Sequence, residues 1–191
     1  FKKTMIAITA GVLTARHLLN LGHTNIAVLS HASDRITTSR ATRVAGILAE
    51  IRQALSEDHL LLLSGNNSQS RYLKENSLHY HVGYSLAQNQ KLYENNITGL
   101  ICVNDMLAYG VMDALAEKGY RIPEDVSVVG FDNFLYPGLC DIGITTYEVD
   151  ISEMARRAIH KIVRKIANEN YTAGVFIVDG HVVFKDSVAR I

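Results

Sequence analysis

A chain of 191 residues with 48% hydrophobic content can bury the core of one or two packed units, and its 19 basic residues balance 19 acidic ones. Zero net charge argues against a chain whose principal surface grips nucleic acid, because such surfaces need an excess of Lys and Arg. No apolar run approaches the roughly 20 residues of a membrane-spanning helix, and the two cysteines, Cys102 in an apolar run and Cys140 in a loop-like stretch, read as unpaired thiols of a reducing compartment.

The first stretch, "FKKTMIAITAGVLTARHLLN", has the basic-then-apolar order of a secretion signal. Arg16 and His17 fall on a helical pattern, however, and no A-x-A cleavage site follows, so the segment belongs to the fold. Its periodicity predicts a helix from about Thr9 to Leu21, stopped by Gly22. "NIAVLS" (25–30) reads as a strand, and "ATRVAGILAEIRQAL" (41–55) carries apolar residues at helical spacing, Val44, Ile47, Leu48, Ile51 and Leu55. "HLLLLS" (59–64) is strand-like, "GYSLAQNQKLYE" (83–94) helical, and "GLICV" (99–103) a strand. "DMLAYGVMDALAEKG" (105–119) is a helix closed by Gly119, and "DVSVVGF" (125–131) a fourth strand. Four continuous apolar runs separated by helices are the mark of βαβ units: an α/β fold with a parallel sheet flanked by helices.

After Asn133 the rhythm changes. "ITTYEVD" (144–150) is extended, and Asp150 with Glu153 forms an acidic capping box that opens a helix from Ile151 to about Ala167. One stripe of that helix is apolar and the other basic, the pattern of a helix that packs one face and solvates the other rather than of a nucleic-acid contact. "VFIVDGHVVFKDS" has two alternating runs around Asp179–Gly180, a hairpin signal.

Ligands of open parallel sheets collect at the carboxyl ends of the strands. The first strand is followed by Ser30 and His31 and then by Thr37, Ser39, Arg40 and Arg43; the third by Asn104 and Asp105; the fourth by Asp132 and Asn133. Such a rim of hydroxyls, amides, carboxylates and guanidinium groups suits a polar small molecule rich in hydroxyls. Each residue also has a plainer reading. Asn104 or Asp105 caps the following helix, Thr37 and Ser39 cap the helix that begins near Ala41, and Arg43 pairs with a carboxylate. Asp132 resists such a reading, because a carboxylate at the mouth of a hydrophobic strand is costly without a partner.

Catalytic motifs are absent from the sequence. It has no G-x-S-x-G elbow, no G-x-G-x-x-G after a strand and no phosphate-binding G-x-x-x-x-G-K-[ST], so no enzyme activity and no cofactor are expected. "HYH" (79–81) sets two histidines two apart, which in a strand would face one way, but no third ligand stands nearby and no metal is expected.

"ICVNDMLAYGVMDALAEKGYRIPEDVSVVGFDN" (101–133) closely resembles the hallmark segment of the LacI/GalR family of bacterial transcriptional repressors. "ARHLLNLGHTNIAVLS" (15–30), "SRATRVAG" (39–46) and "KDSVAR" (185–190) match other stretches of that family in order and spacing. The resemblance implies a two-lobed, periplasmic-binding-protein type I core with flavodoxin-like lobes, entered here beyond the DNA-binding headpiece and most of the first lobe. Residues 1–143 would form the C-terminal effector-binding subdomain with its opening helix. Residues 144–174 would be a crossover and helix of the N-terminal subdomain, and 175–191 strands returning to the C-terminal one. It implies a sugar or sugar derivative as effector, operator DNA as partner through a helix-turn-helix, a homodimer, a cytoplasmic location and no membrane. The alternative on the same fold is a periplasmic sugar-binding protein of a transport system.

Carried over residue by residue, the resemblance makes Arg43 the effector-contacting arginine, Thr37 and Ser39 the small polar positions before it, and Asn104 and Asp132 the cleft amide and carboxylate. The family often places a stacking aromatic ahead of the helix near Gly83. Leu78, His79 and Tyr80 compete for that place here, with Tyr80 as the stacking candidate. Gly143 stands where the family has proline before "ITT".

Overall fold

Elements follow one another in chain order as α1 (Lys2–Asn20), β1 (Ile26–His31), α2 (Thr38–Ala54), β2 (Leu60–Gly65), α3 (Glu75–Ala87), α4 (Lys91–Glu94), β3 (Gly99–Cys102), α5 (Asp105–Glu117), β4 (Ser127–Phe131), β5 (Thr145–Val149), α6 (Ile151–Ala167) and β6 (Gly180–Val183). The structure, a computed structural model, describes residues 2–31, 38–65, 75–89, 91–134, 141–168, 170, 172, 174 and 176–191. The strands form one sheet in the order β2-β1-β3-β4-β5-β6. The first five run parallel, with Ile26 opposite Leu60 and Gly99, and Val129 opposite Thr145; β6 closes the edge antiparallel to β5.

Why these runs are strands is visible in how they are covered. Ile26 and Val28 of β1 join Ile101, Val129 and Phe131 in a core under α1 and α2, whereas Ala27 and Leu29 join Leu100, Cys102 and Val128 under α3 and α5. Successive residues point to opposite faces and both faces are buried, so the strands read as unbroken apolar runs rather than alternating ones. Full burial of a side chain such as Phe131 or Leu29 is worth about 1.5–3 kcal/mol.

The two helix pairs cross on glycines. A Cβ on Gly46 would lie 2.2 Å from the Ile8 carbonyl, and one on Gly11 would lie 2.2 Å from the carbonyl of Arg43. On the other face, a Cβ on Gly83 or Gly110 would lie 2.0 Å from the carbonyls of Leu107 and Tyr80 respectively. These contacts press α2 and α5 onto the sheet with their first turns at the carboxyl ends of the strands.

Ser187 ties the tail in. Its hydroxyl donates to Val128 O at 2.6 Å and accepts from Thr145 N at 2.8 Å, joining β4 to β5. His23, of the "LGH" stretch, is buried between Thr98 Oγ1 at 3.1 Å and Ala189 O at 3.0 Å, so it is a structural clasp at the opposite edge.

Several expectations change. α1 begins at Lys2, well before Thr9, since no Gly or Pro in "KKTMIA" stops a helix. The helix expected over 83–94 is two, because Gln88 and Asn89 bond three residues back, to Ser85 O and Leu86 O, and end α3. The segment from 144 does not leave this unit at once: β5 pairs with β4 and β6, and Thr145 and Thr146 are buried. Asp179–Gly180 does not turn a hairpin. Gly180 begins β6 and pairs with Val149 of β5, where a Cβ would lie 2.2 Å from Glu148 O.

α6 follows the sequence reading in its bounds and in its Asp150 cap, which accepts from Glu153 N at 2.8 Å. Its apolar stripe is uncovered, with Ile159 61% and Ile166 78% exposed. Among the described residues, no helix is long and apolar enough to cross a membrane.

Adding a methyl at Gly110 must push α5 off α3, since backbone cannot yield as a side-chain tip does. Gly110→Ala is expected to lower stability by about 1–3 kcal/mol in urea denaturation, and an unchanged midpoint would contradict the backbone contact.

Candidate functional site

The strand order reverses between β1 and β3, and the chain leaving each strand there turns to opposite faces, which opens a crevice at their carboxyl ends. α2 follows β1 and supplies Arg43; the end of β3 supplies Val103 and Asn104; β4 supplies Phe131 and Asp132. The Arg43 guanidinium donates to the Val103 carbonyl at 2.5 Å and to the Asp132 carboxylate at 3.5 Å, and lies 4.2 Å over the centre of the Phe131 ring. Burial lowers the Arg43 pKa while the Asp132 charge raises it. The arginine side chain is 17% exposed and the Asp132 side chain 38% exposed, so the pair is anchored in protein on the arginine side and open to solvent on the carboxylate side. An ion pair this open contributes little to folding; its lone pairs remain available to a ligand.

Backbone conformation aims the carboxylate. Asp132 has φ +100° and Asn133 φ +53°, both in the left-handed region that costs non-glycine residues free energy. Three bonds hold this turn: Asp132 N donates to Tyr147 O at 2.9 Å, Asn133 N to Thr146 Oγ1 at 3.3 Å, and Lys185 Nζ to Asn133 Oδ1 at 2.6 Å. Asp105 underlies it. Its carboxylate accepts from Thr146 Oγ1 and from Phe134 N, each at 2.8 Å, and Gly130 must lack a side chain because a Cβ would sit 2.1 Å from Asp105 Oδ1. Burial pushes the Asp105 carboxyl up to about 7, against the pull of those two hydrogen bonds, with the Asp132 charge adding to the rise and Lys185 opposing it.

Asn104 caps α5, its Oδ1 accepting from Leu107 N at 2.8 Å, and turns Nδ2 toward His79 Nδ1 at 3.1 Å. His79 is buried, edge-on to His31 with ring centres 4.3 Å apart, and its Nε2 lies 3.4 Å from Arg40 Nη2. Burial, then His31 and Arg40, lower its pKa to about 4, so the ring is neutral at physiological pH.

Arg43 and Asp132 thus meet, and Asn104 directly follows Val103, whose carbonyl Arg43 holds, while its own side chain bonds Leu107 N and His79. Ser39 is exposed on the first turn of α2, four residues before Arg43 and on the same helical face. Thr37 lies outside the described residues. Tyr80 turns away: its hydroxyl bonds the Asp113 carboxylate on α5, and burial, then Asp113, raises its pKa to about 12. His79, not Tyr80, touches Asn104. The "HYH" pair does not share a face either, since α3 is a helix that buries His79 and exposes His81. The helical spacing of His79, Val82 and Leu86, all buried, was the sequence signal for this. A separate concavity of about 310 Å³, lined by Met112, Asp113, Ala116, Tyr120, Arg121, Ile122 and Ile142, lies along the C-terminal half of α5, away from the strand ends. Its two charged lining residues are engaged elsewhere, Asp113 with the Tyr80 hydroxyl and Arg121 with Asp125.

The sequence profile of the periplasmic binding protein-like domain matches residues 15–188. The HTH-type transcriptional repressor PurR of Mannheimia succiniciproducens is 29% identical over 181 residues, covering 95% of this chain and 51% of that protein. The chain spans about half the length of the curated relatives it matches, 51% here. A LacI family transcriptional regulator from Enterococcus faecium with bound ribose has a similar structure, with TM-score 0.81 and 24% identity over 97% of this chain and 64% of that one. Another, from Silicibacter pomeroyi, has TM-score 0.76 and 27% identity over 95% and 62% of the two chains.

The Asp105 proton is held more tightly in the folded protein than in the unfolded chain, where Asp titrates near 4. The stability it contributes is therefore full in acid and declines as pH rises through about 7. Asp105→Asn removes that decline. Urea denaturation at about pH 5 and about pH 7.5 should show wild type losing ground to the variant at the higher pH; a pH-independent difference would contradict a titrating carboxyl beneath the turn.

Proposed function

Because this chain belongs to the periplasmic binding protein-like domain family, we propose that it is the effector-sensing core of a LacI-type transcriptional repressor. The observation that carries this reading is the half-open Arg43–Asp132 pair at the switch point of the sheet. It presents a carboxylate acceptor and a guanidinium donor to the same crevice, and vicinal hydroxyls of a sugar can bridge them by charge-assisted hydrogen bonds. Asn104 and Ser39 extend the polar rim along the same edge, and the family resemblance adds Thr37. The relatives and structural neighbours named above are transcriptional regulators rather than transport proteins, which favours this reading over a periplasmic receptor.

Sensing follows from shape. The rim closes only one side of a ligand, and a second lobe is to cover the other. α6 is the surface that fits such a lobe, since its apolar stripe has no cover among the described residues. A ligand gripped between the lobes favours the closed arrangement by its extra contacts there, and a DNA-binding headpiece attached to the moving lobe reads the change. Operator DNA, a homodimeric assembly and a cytoplasmic location belong to the same proposal.

Calorimetry of the full-length protein against D-ribose, D-glucose and cellobiose tests it. At least one is expected to bind, and Arg43→Ala or Asp132→Ala to weaken that binding by about tenfold or more, with folding checked by circular dichroism. Unchanged affinity in both variants would remove the pair from the site.

A further inference from the structure

Asp132 meets its guanidinium partner at 3.5 Å, the long end of hydrogen-bond range, so the ion pair alone does not fix where the carboxylate points. The turn does. Asp132 at φ +100° and Asn133 at φ +53° stand side by side in the left-handed region, which neither side chain favours. Two of the bonds that hold them run to neutral oxygens of β5, the Tyr147 carbonyl and the Thr146 hydroxyl. The third is charge-assisted: Lys185 Nζ donates to Asn133 Oδ1 at 2.6 Å.

Lys185 is itself held. Its backbone N donates to Thr145 Oγ1 at 2.9 Å, and its carbonyl accepts from the same hydroxyl at 3.1 Å, so β5 fixes where the lysine stem begins. Gly143 leaves room for that stem. A Cβ there would lie 3.1 Å from Lys185 Cδ and 3.2 Å from its Cβ, closer than packed carbons stand. The glycine that replaces the family's proline therefore borders the path of the lysine. The ammonium also opposes the rise of the Asp105 pKa, so one cation acts on both the turn and the carboxyl beneath it.

We propose that Lys185 is a positioning residue of the effector site: by holding Asn133 in its left-handed conformation it aims the Asp132 carboxylate into the crevice, without touching the ligand. This rests on the sensing role above. Without the ammonium, Asn133 Oδ1 loses its charged donor, less holds the turn against the cost of positive φ, and Asp132 samples other directions. A ligand must then order the carboxylate as it binds, and its affinity falls with the fraction of molecules already in the right arrangement.

Two measurements on the full-length protein test it. Amide hydrogen exchange needs no ligand: Lys185→Met is expected to speed exchange at Asn133 by about tenfold while Val129, inside β4, keeps its rate. An unchanged rate at Asn133, or an equal rise at both amides, would overturn the role, the second marking a lysine that merely stabilises the fold. Calorimetry with D-ribose, D-glucose and cellobiose then follows the tightest binder across variants. Lys185→Met should weaken it about tenfold, and Lys185→Arg, which keeps a charged donor, should retain most of the affinity. In an Asn133→Gly background the turn needs no such bond, and Lys185→Met should change affinity little. Full affinity in Lys185→Met, or an equal loss with glycine at 133, overturns the positioning role and leaves the sensing role standing. If none of the three sugars binds the wild-type protein, the sensing role fails, and the exchange rates still decide whether Lys185 sets the turn.

Discussion

Arg43 cannot be drawn into the sheet edge as a bare cation, since an uncompensated buried charge costs several kcal/mol. Three groups from two strands make its position tenable: the Val103 carbonyl past the end of β3, the Phe131 ring at the end of β4, and the Asp132 carboxylate just beyond it. The first is backbone, the second is fully buried, and the third extends from a turn held by backbone hydrogen bonds. The arginine therefore serves as a gauge of the register between β3 and β4, and a ligand that touches Asp132 competes for a carboxylate already held in place.

That register depends on parts far from the crevice. Gly11 lets α1 come against the backbone of Arg43, which seats α2 over the same core as Phe131. Ser187 stitches β4 to β5 from the tail, and Thr146 of β5 passes that constraint to Asp105 and to the amide of Asn133. The strained turn at Asp132 and Asn133 persists because these bonds over-determine it. The Asp105 carboxyl beneath the turn is raised by its burial, so its protonation is coupled to the packing of β4 against β5.

Much of this was legible in the sequence, for a physical reason. A parallel sheet covered on both faces imposes continuous apolar runs, so "NIAVLS", "GLICV" and "DVSVVGF" announce β1, β3 and β4, and whatever polar residue follows each must sit at the same rim. Arg43, Asn104 and Asp132 come out of that argument, and the resemblance to the LacI/GalR family agrees with it. The pattern was silent where tertiary pairing decides. The resemblance alone made 144–174 a crossover, and the pattern did not show that Thr145 and Thr146 of β5 are satisfied in the interior by the Lys185 carbonyl and the Asp105 carboxylate. Gly180 looked like a turn because glycine serves turns and close approaches equally. His79 was hidden by a strand reading of "HYH", although its spacing to Val82 and Leu86 is helical, and its contact with Asn104 joins α3 to the start of α5, a pairing that no sequence pattern encodes.

Central to this account is a ligand held at the strand ends rather than elsewhere on the surface. A crystal structure of the full-length protein with whichever sugar binds tightest locates it directly. The account predicts hydroxyl oxygens within hydrogen-bond distance of both the Asp132 carboxylate and the Arg43 guanidinium. Density for the sugar in the concavity between Met112, Tyr120 and Ile122, with the Arg43–Asp132 pair untouched, would contradict it.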